Sequence, residues 1–163
     1  MKKTVSIFLS FILIITCFNF GAAAASEKEV DPVVLSFSLT TEADTIEVSG
    51  NDTRVNGLIT SYGLSLEKNG TTLKIYGQTH AAPDVVKCGF KNLVIQRRAS
   101  SSDAWKDYYD YGDVYADGFA ANLNTTLSVA SGYQYRISCK HYAKKSLLVT
   151  QSISNTSGIV TVS

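Results

Sequence analysis

Apolar and polar residues alternate with a period of two through much of the second half of this chain. The apolar-side positions are Leu123, Thr125, Leu127, Val129, Tyr135, Ile137 and Cys139. Successive side chains of a β-strand point to opposite faces, so the pattern predicts strands with one buried face. No stretch beyond residue 25 has the period of a helix, and we therefore predict an all-β domain.

A hairpin is predicted around Asn69-Gly70. Asn-Gly readily takes the positive φ angles of a two-residue type I′ turn, and apolar alternation continues on both sides of it. A turn centred on these two residues sets the register of the flanking strands. The expected pairs are Leu66 with Leu73, Leu64 with Ile75 and Tyr62 with Gly77.

Other strand-like segments are spaced closely along the chain. They are Val33 to Leu39, Val86 to Arg98, Trp105 to Tyr111, Leu147 to Ile153 and Ile159 to Val162. A change of parity predicts a bulge near Lys91-Asn92. About seven short strands at this spacing favour an antiparallel β-sandwich.

One local motif refines the fold prediction. Val129-x-x-Gly132-x-x-Tyr135 is similar to the corner that opens strand F in fibronectin III-like and immunoglobulin-like sandwiches. The resemblance implies that the Tyr135 hydroxyl bonds back to the preceding backbone, which makes Tyr135 a structural residue. It also implies that Cys88 on strand C faces Cys139 on strand F. Immunoglobulin domains place that second cysteine two residues after the tyrosine, and here the spacing is wider.

The N-terminus has the pattern of a secretory signal peptide. Lys2 and Lys3 precede an apolar run from Val5 to Phe20, and Ala23 and Ala25 supply small residues for cleavage. We predict a signal peptide at 1–25 and a secreted, extracellular protein. A membrane anchor and lipidation at Cys17 are the alternatives, and both fit less well, since no positive charges follow the run and Thr16 precedes the cysteine.

Three segments follow from this: the signal peptide, a partly ordered leader or extra strand at 26–56, and the sandwich domain at 57–163. Fifteen Lys and Arg nearly balance 14 Asp and Glu, and they stay nearly balanced without Lys2 and Lys3. This charge predicts neither nucleic-acid binding nor stable membrane insertion once the signal is removed.

Cys88 and Cys139 would be the only cysteines left after cleavage. An even pair in an oxidising compartment predicts one disulfide, worth about 4 kcal/mol by loop closure. A reactive thiol or a metal ligand is the alternative, but no His or Cys stands near either cysteine at ligand spacing.

A wider resemblance rests on three stretches: Gly132-Tyr133-Gln134-Tyr135-Arg136-Ile137, then His141, then Ser152-x-x-Asn155-Thr156-x-x-Ile159. From Gly57 onward the chain resembles an uncharacterised family of small secreted proteins of Gram-positive bacteria, a domain of unknown function. The resemblance implies a bacterial, secreted protein and carries no activity.

The segment from Trp105 to Asp117 contains the only Trp, four Tyr and four Asp. The candidate ligand-binding residues are Trp105, Tyr108, Tyr109, Tyr111 and Tyr115. Calcium binding is one hypothesis, although the aspartate spacing differs from an EF-hand loop. A binding face is the second. The third, which we favour, is that Trp105, Tyr109 and Tyr111 share a strand face and pack over the sandwich while the aspartates keep an edge strand soluble.

No catalytic set emerges from the sequence. His80 and His141 are the only histidines, no G-x-S-x-G motif is present, and we interpret His141 as a hydrogen-bonded structural residue and His80 as part of a loop. Neither a metal site nor a cofactor is predicted. The primary hypothesis is a non-enzymatic secreted binding or interaction domain of unknown ligand, with Trp105 to Tyr115 as the candidate contact surface and a cell-wall glycan or another surface protein as candidate partners. A secreted toxin or bacteriocin-like effector is the second, and an uncharacterised hydrolase the third.

Overall fold

The computed structural model describes residues 31–41, 53–54 and 57–163, with the backbone alone at 53–54. The predicted signal peptide at 1–25, Cys17 within it, and most of the predicted leader lie outside the described residues.

The described residues form ten strands and no helix. The strands are β1 (Val33–Thr40), β2 (Thr53–Arg54), β3 (Ile59–Asn69), β4 (Thr72–Ala81), β5 (Lys87–Arg98), β6 (Lys106–Asp117), β7 (Ala120–Ser128), β8 (Tyr133–Lys144), β9 (Thr150–Thr156) and β10 (Val160–Val162). None of this part of the chain could cross a membrane as a helix.

The strands make two antiparallel sheets that pack face to face. The first sheet has the order β1-β7-β4-β3-β2, and the second has the order β10-β8-β5-β6, with β9 also paired to β8. The predicted antiparallel β-sandwich is therefore confirmed. The described residues contain ten strands where about seven were expected, and β2 is the one that no predicted segment covers.

The core lies between the sheets and follows the alternation of the sequence. The fully buried large side chains include Leu64, Leu73, Ile75, Leu123 and Leu127 from the first sheet and Phe90, Leu93, Ile95 and Ile137 from the second. Each such side chain contributes about 1.5–3 kcal/mol by leaving water.

The hairpin forms, but its predicted register is wrong. The two turn residues are Gly70 and Thr71, so Leu66 pairs with Ile75 and Leu64 with Gly77. Gly70 has φ 60°, and the positive angle at the first central position is that of a type II′ turn. The register slips by two positions, which returns every side chain to its predicted face. Alternation alone cannot distinguish the two registers.

Bulges set which side chains of the second sheet face inward. The pairing of β5 shifts between Phe90 and Leu93, and Asn92 has φ 48°, so the predicted bulge near Lys91-Asn92 is confirmed. A second shift, between Leu93 and Val94, inserts Tyr111 as an extra residue of β6, and a third, between Ile95 and Gln96, inserts Tyr108. The bulge at Tyr108 changes the parity between Trp105 and Tyr109.

The two ends of the chain differ from expectation in detail. Val33 to Leu39 forms a strand, but a shift between Val34 and Ser36 leaves Leu35 exposed. Toward the C-terminus, Leu147 and Leu148 lie in a loop before β9, not in the predicted strand. The sequence placed that strand too early because the loop residues are apolar.

Tyr135 sits near the start of β8. Its ring is fully buried, and its hydroxyl donates to the Ala130 carbonyl at 2.7 Å. This is the hydrogen bond that the corner motif predicts, and it ties the β7–β8 connection to the core.

Candidate functional site

The predicted disulfide is absent: Cys88 and Cys139 are both free and buried. They do lie on neighbouring strands, but Cys88 pairs with Ala143 of β8. Cys139 is four residues away along β8, roughly 13 Å at about 3.3 Å per residue. A disulfide needs Cα atoms within about 7 Å, so this register prevents the bond.

His141 occupies the space between the sheets near both cysteines. Its Nδ1 lies 2.8 Å from the Thr79 hydroxyl of the opposite sheet. Its Nε2 lies 3.2 Å from Asn155 Nδ2 and 3.7 Å from Cys139 Sγ. The rings of Tyr62 and Phe90 pack on the imidazole. We call Thr79, Cys139, His141 and Asn155 the histidine cluster.

The hydrogen bonds assign the tautomer of His141. The Thr79 hydroxyl donates to the Gly89 carbonyl at 3.0 Å, so it must accept from His141 Nδ1–H. On the other side, Asn155 Oδ1 accepts from the Thr156 amide, which turns the Asn155 NH₂ group toward Nε2. Both sides of the ring therefore indicate a neutral imidazole with its proton on Nδ1.

Burial suppresses ionisation throughout this cluster. It lowers the pKa of His141 to about 4 and raises the pKa of Cys139, and of Cys88, to about 12. A cysteine nucleophile needs a thiolate, which an accessible, electropositive setting favours. Here the thiol is protonated and the imidazole fully buried. His141 is hydrogen-bonded through both ring nitrogens, as predicted. His80 was predicted to lie in a loop, but it lies in β4, where its ring contacts Asn122.

The five candidate aromatic residues are not brought together. Tyr109 and Tyr111 pack on each other, and Tyr111 reaches Phe37 and the buried Thr125. Tyr108 packs on Tyr135. Trp105, by contrast, lies on the outer face of the second sheet. The prediction that Trp105 shares a face with Tyr109 and Tyr111 is wrong, because the bulge at Tyr108 reverses the parity between them.

Tyr115 lies farther along the outer face. Its ring contacts Tyr142, and its hydroxyl donates to Asp113 at 2.7 Å. Burial raises the pKa of Tyr115, and the hydrogen bond to the Asp113 carboxylate raises it further. Tyr115 and Trp105 share the outer face but stand at opposite ends of β6.

The four aspartates of β6 are dispersed along its edge. Asp107 accepts from Gln96, Asp110 from the Gly112 amide, and Asp117 pairs with Lys87. Within 31–41 and 57–163, no three His, Cys, Asp or Glu side chains converge in a way that could hold a metal ion.

Trp105 is held by two guanidinium groups. Arg98 of β5 and Arg136 of β8 stand 4.5 Å and 4.3 Å from the indole centroid. Each arginine is oriented by a glutamine on the neighbouring strand: Arg98 Nε donates to Gln134 and Arg136 Nε to Gln96. We call Arg98, Trp105 and Arg136 the arginine–tryptophan platform.

The platform concentrates positive charge. Within the part of the chain that the structure describes, Arg98 and Arg136 bond to neutral groups alone: two glutamine side chains, the Ser101 carbonyl and the indole. Burial, and then the charge of Arg98, lowers the pKa of Arg136. Two guanidinium groups therefore stand against the Trp105 ring, and none of their contacts described above is a carboxylate.

A cavity of about 380 Å³ adjoins the platform at the end of the sandwich. Arg97, Arg98 and Lys106 line it together with Tyr133 and Asp103. Arg97 stacks on Tyr108 and Tyr133 at 4.4 Å and 4.6 Å. Asp103 accepts two hydrogen bonds from Ser100, so its carboxylate is partly occupied. The cavity thus combines cationic and aromatic walls.

The sequence analysis assigned no functional role to Arg98, Arg136, Thr79 or Asn155, although Arg136 and Asn155 stand in the stretches that carry the family resemblance. Two features of the sequence pointed toward these arginines. Arg136 alternates with the apolar residues of its strand and so belongs to the solvent face, and Arg97-Arg98 directly precedes a loop. Bringing Arg98 and Arg136 together requires the register of β5 against β8, which the alternation leaves open.

No family model, curated protein or solved structure matches the chain.

Proposed function

We propose that this chain is a secreted, non-enzymatic binding domain whose contact surface is the arginine–tryptophan platform with its adjoining cavity. The ligand class is an anionic polymer, and a phosphate- or carboxylate-bearing cell-wall glycan fits best. The resemblance to secreted proteins of Gram-positive bacteria supports this setting and stays a prediction, as do the toxin and hydrolase hypotheses.

One observation carries the proposal: Arg98 and Arg136 both stack on Trp105 while bonding to neutral partners alone. Neighbouring like charges are unfavourable without an anion between or above them. Guanidinium groups match carboxylate and phosphate oxygens in pairs. An anionic glycan would satisfy both groups at once.

The cavity supports the same ligand class. Three cationic side chains line it against one carboxylate that is already hydrogen-bonded. Concave sites with aromatic walls and a few oriented polar groups are the usual form of small-ligand sites. A sugar unit could occupy the cavity while the polymer continues over Trp105.

The absence of an activated nucleophile in the histidine cluster favours binding over catalysis. Among the described residues, Cys139, His141 and Asn155 come closest to a catalytic set. Cys139 and Asn155 both contact the same nitrogen of His141, Nε2, and burial keeps the thiol and the imidazole neutral.

We also propose an immunoglobulin-like arrangement for the sandwich. Taking β4 and β7 as strands B and E, and β5, β8 and β9 as C, F and G, gives the expected neighbours in both sheets. The Tyr135 hydroxyl bond supports the assignment of β8 as strand F. An experimental structure with a different strand order would reject it.

The binding proposal is tested by pull-down on isolated Gram-positive cell walls, with their anionic phosphate polymers intact or removed by acid. Wild type is expected on intact walls only, and Trp105→Ala or Arg136→Gln should reduce binding at least tenfold, about 1.4 kcal/mol. The control is Tyr76→Ala, a half-buried tyrosine on the other sheet. Equal retention of all variants, or wild-type binding to stripped walls, rejects the proposal.

A further inference from the structure

The loop between β8 and β9 presents two leucines to solvent at its tip. Leu147 is 87% and Leu148 95% exposed, and both are preceded by Lys144 and Lys145. The Lys145 amide donates to the Val149 carbonyl at 2.9 Å, which closes the loop into a tight turn. We call Leu147 and Leu148 the leucine tip.

Two other connections are hydrogen-bonded to the same end of the sandwich. The Val86 amide donates to the Lys144 carbonyl, and the Gly118 amide donates to the Val86 carbonyl, each at 2.9 Å. These bonds link the β4–β5 loop, the β6–β7 turn and the end of β8. Hydrogen bonds between neighbouring connections therefore anchor the end of the sandwich that bears the leucine tip.

The linked loops expose more apolar surface. Val86, Phe119 and Val149 are each about half exposed. Single exposed apolar side chains are ordinary, but several at one end of a small domain mark a contact surface. The leucine tip is the most prominent part of that surface.

The charges around the tip are mixed, with a surplus of lysine. Lys87 pairs with Asp117, and Lys145 pairs with Asp84. Of the three lysines at this end, Lys144 is the one whose charge neither aspartate balances. Protein–protein interfaces are depleted in lysine, whereas lysines beside an apolar element favour an anionic lipid surface. The composition of this end therefore suits a bilayer better than a protein partner.

We propose that the leucine tip inserts reversibly into the headgroup region of an anionic lipid bilayer, with Lys144 at the level of the lipid phosphates. This contact is peripheral and does not span the membrane. It lies at the opposite end of the sandwich from the arginine–tryptophan platform, so a protein that uses both could bridge a membrane and a polymer.

Vesicle co-sedimentation tests the proposal with two lipid mixtures, phosphatidylcholine alone and phosphatidylcholine with phosphatidylglycerol. Wild type is expected to sediment with the anionic vesicles and several-fold less with the neutral ones. The double variant Leu147→Ser, Leu148→Ser should lose at least tenfold in partitioning. These side chains are exposed, so the substitution leaves the core intact.

The matched control is Ile159→Ser, which removes a half-exposed apolar side chain outside the leucine end. Ile159→Ser and Trp105→Ala should both sediment like wild type, which separates this proposal from polymer binding. Failure of wild type to sediment with anionic vesicles, or equal sedimentation of the double leucine variant, overturns it. Loss of a wild-type dimer in the double variant, without vesicle binding, also overturns it and assigns the tip to self-association.

Discussion

The two faces of β8 are built from alternating residues of one strand, yet they differ in burial and in how their polar groups are paired. The inward residues, from Tyr135 to His141, are buried and have their polar atoms paired within the protein. On the outward face, Arg136 keeps its charge beside Arg98 and an indole. Polar groups on the inner face thus hold the sheets together, and those on the outer face remain available for a ligand. Substitutions on the two faces should separate stability from binding.

The largest expected contrast is in thiol reactivity. Cys88 and Cys139 are buried, and burial raises the pKa of each to about 12, so neither should react with an aromatic disulfide reagent in the native protein at pH 8. Both should react at once in denaturant, without prior reduction. A mass two hydrogens lower in the unreduced protein would instead demonstrate the disulfide and contradict the inner-face register.

Thr79→Val should destabilise the fold by about 3 kcal/mol. The substitution preserves shape but leaves the Gly89 carbonyl and His141 Nδ1–H without their buried partner. Urea unfolding measures the change. Thr60→Val, on an exposed position of β3, is the control and should stay within about 0.5 kcal/mol of wild type. Equal effects of the two variants would show that the inter-sheet hydrogen bonds contribute nothing.

Acidification should weaken the inner face through His141. Burial lowers its pKa from 6.5 to about 4, so the unfolded chain binds the proton more readily. Stability is then complete above pH 6.5 and falls as the pH drops toward 4, by about 2 kcal/mol between pH 7 and pH 5. Unfolding free energies across this range, in wild type and His141→Gln, measure the slope.

The His141→Gln variant should lose most of that slope, whatever its absolute stability. His80→Gln is the control for removal of a partly exposed imidazole. An unchanged slope in His141→Gln would assign the pH dependence to other groups.

Tyr135→Phe should cost about 1 kcal/mol. The ring stays in the core, and the variant loses the hydrogen bond to the Ala130 carbonyl and the contact of the hydroxyl with Arg97, which water can partly replace. Thermal unfolding measures the shift. No change in melting temperature would mean that the corner bond does not stabilise this fold.

Arg136→Gln should have the smallest effect on stability, within about 0.5 kcal/mol. The variant loses a bond to Gln96 but also removes one of two neighbouring positive charges. A loss of several kcal/mol would make the platform part of the folding core and remove the distinction between the faces.

Much of the fold was predictable from the sequence, and the candidate site was predictable only in part. Alternation marked the buried faces of β7 and β8, and the corner motif indicated the Tyr135 bond. Trp105 was a candidate from composition alone. Its partners Arg98 and Arg136 are 38 positions apart in sequence, and nothing local connects them.

The sequence by itself determined which residues of the unbulged strands β7 and β8 lie inside this sandwich, because a period of two specifies the face of each side chain there whatever the register. Only the tertiary structure decided which residues meet. A slip of two positions moved the hairpin turn to Gly70-Thr71 without changing a face, and an offset along β8 separated Cys88 from Cys139. One bulge at Tyr108 placed Trp105 outside, against two arginines. Register and bulges depend on the packing of two whole sheets, and no short segment contains that information.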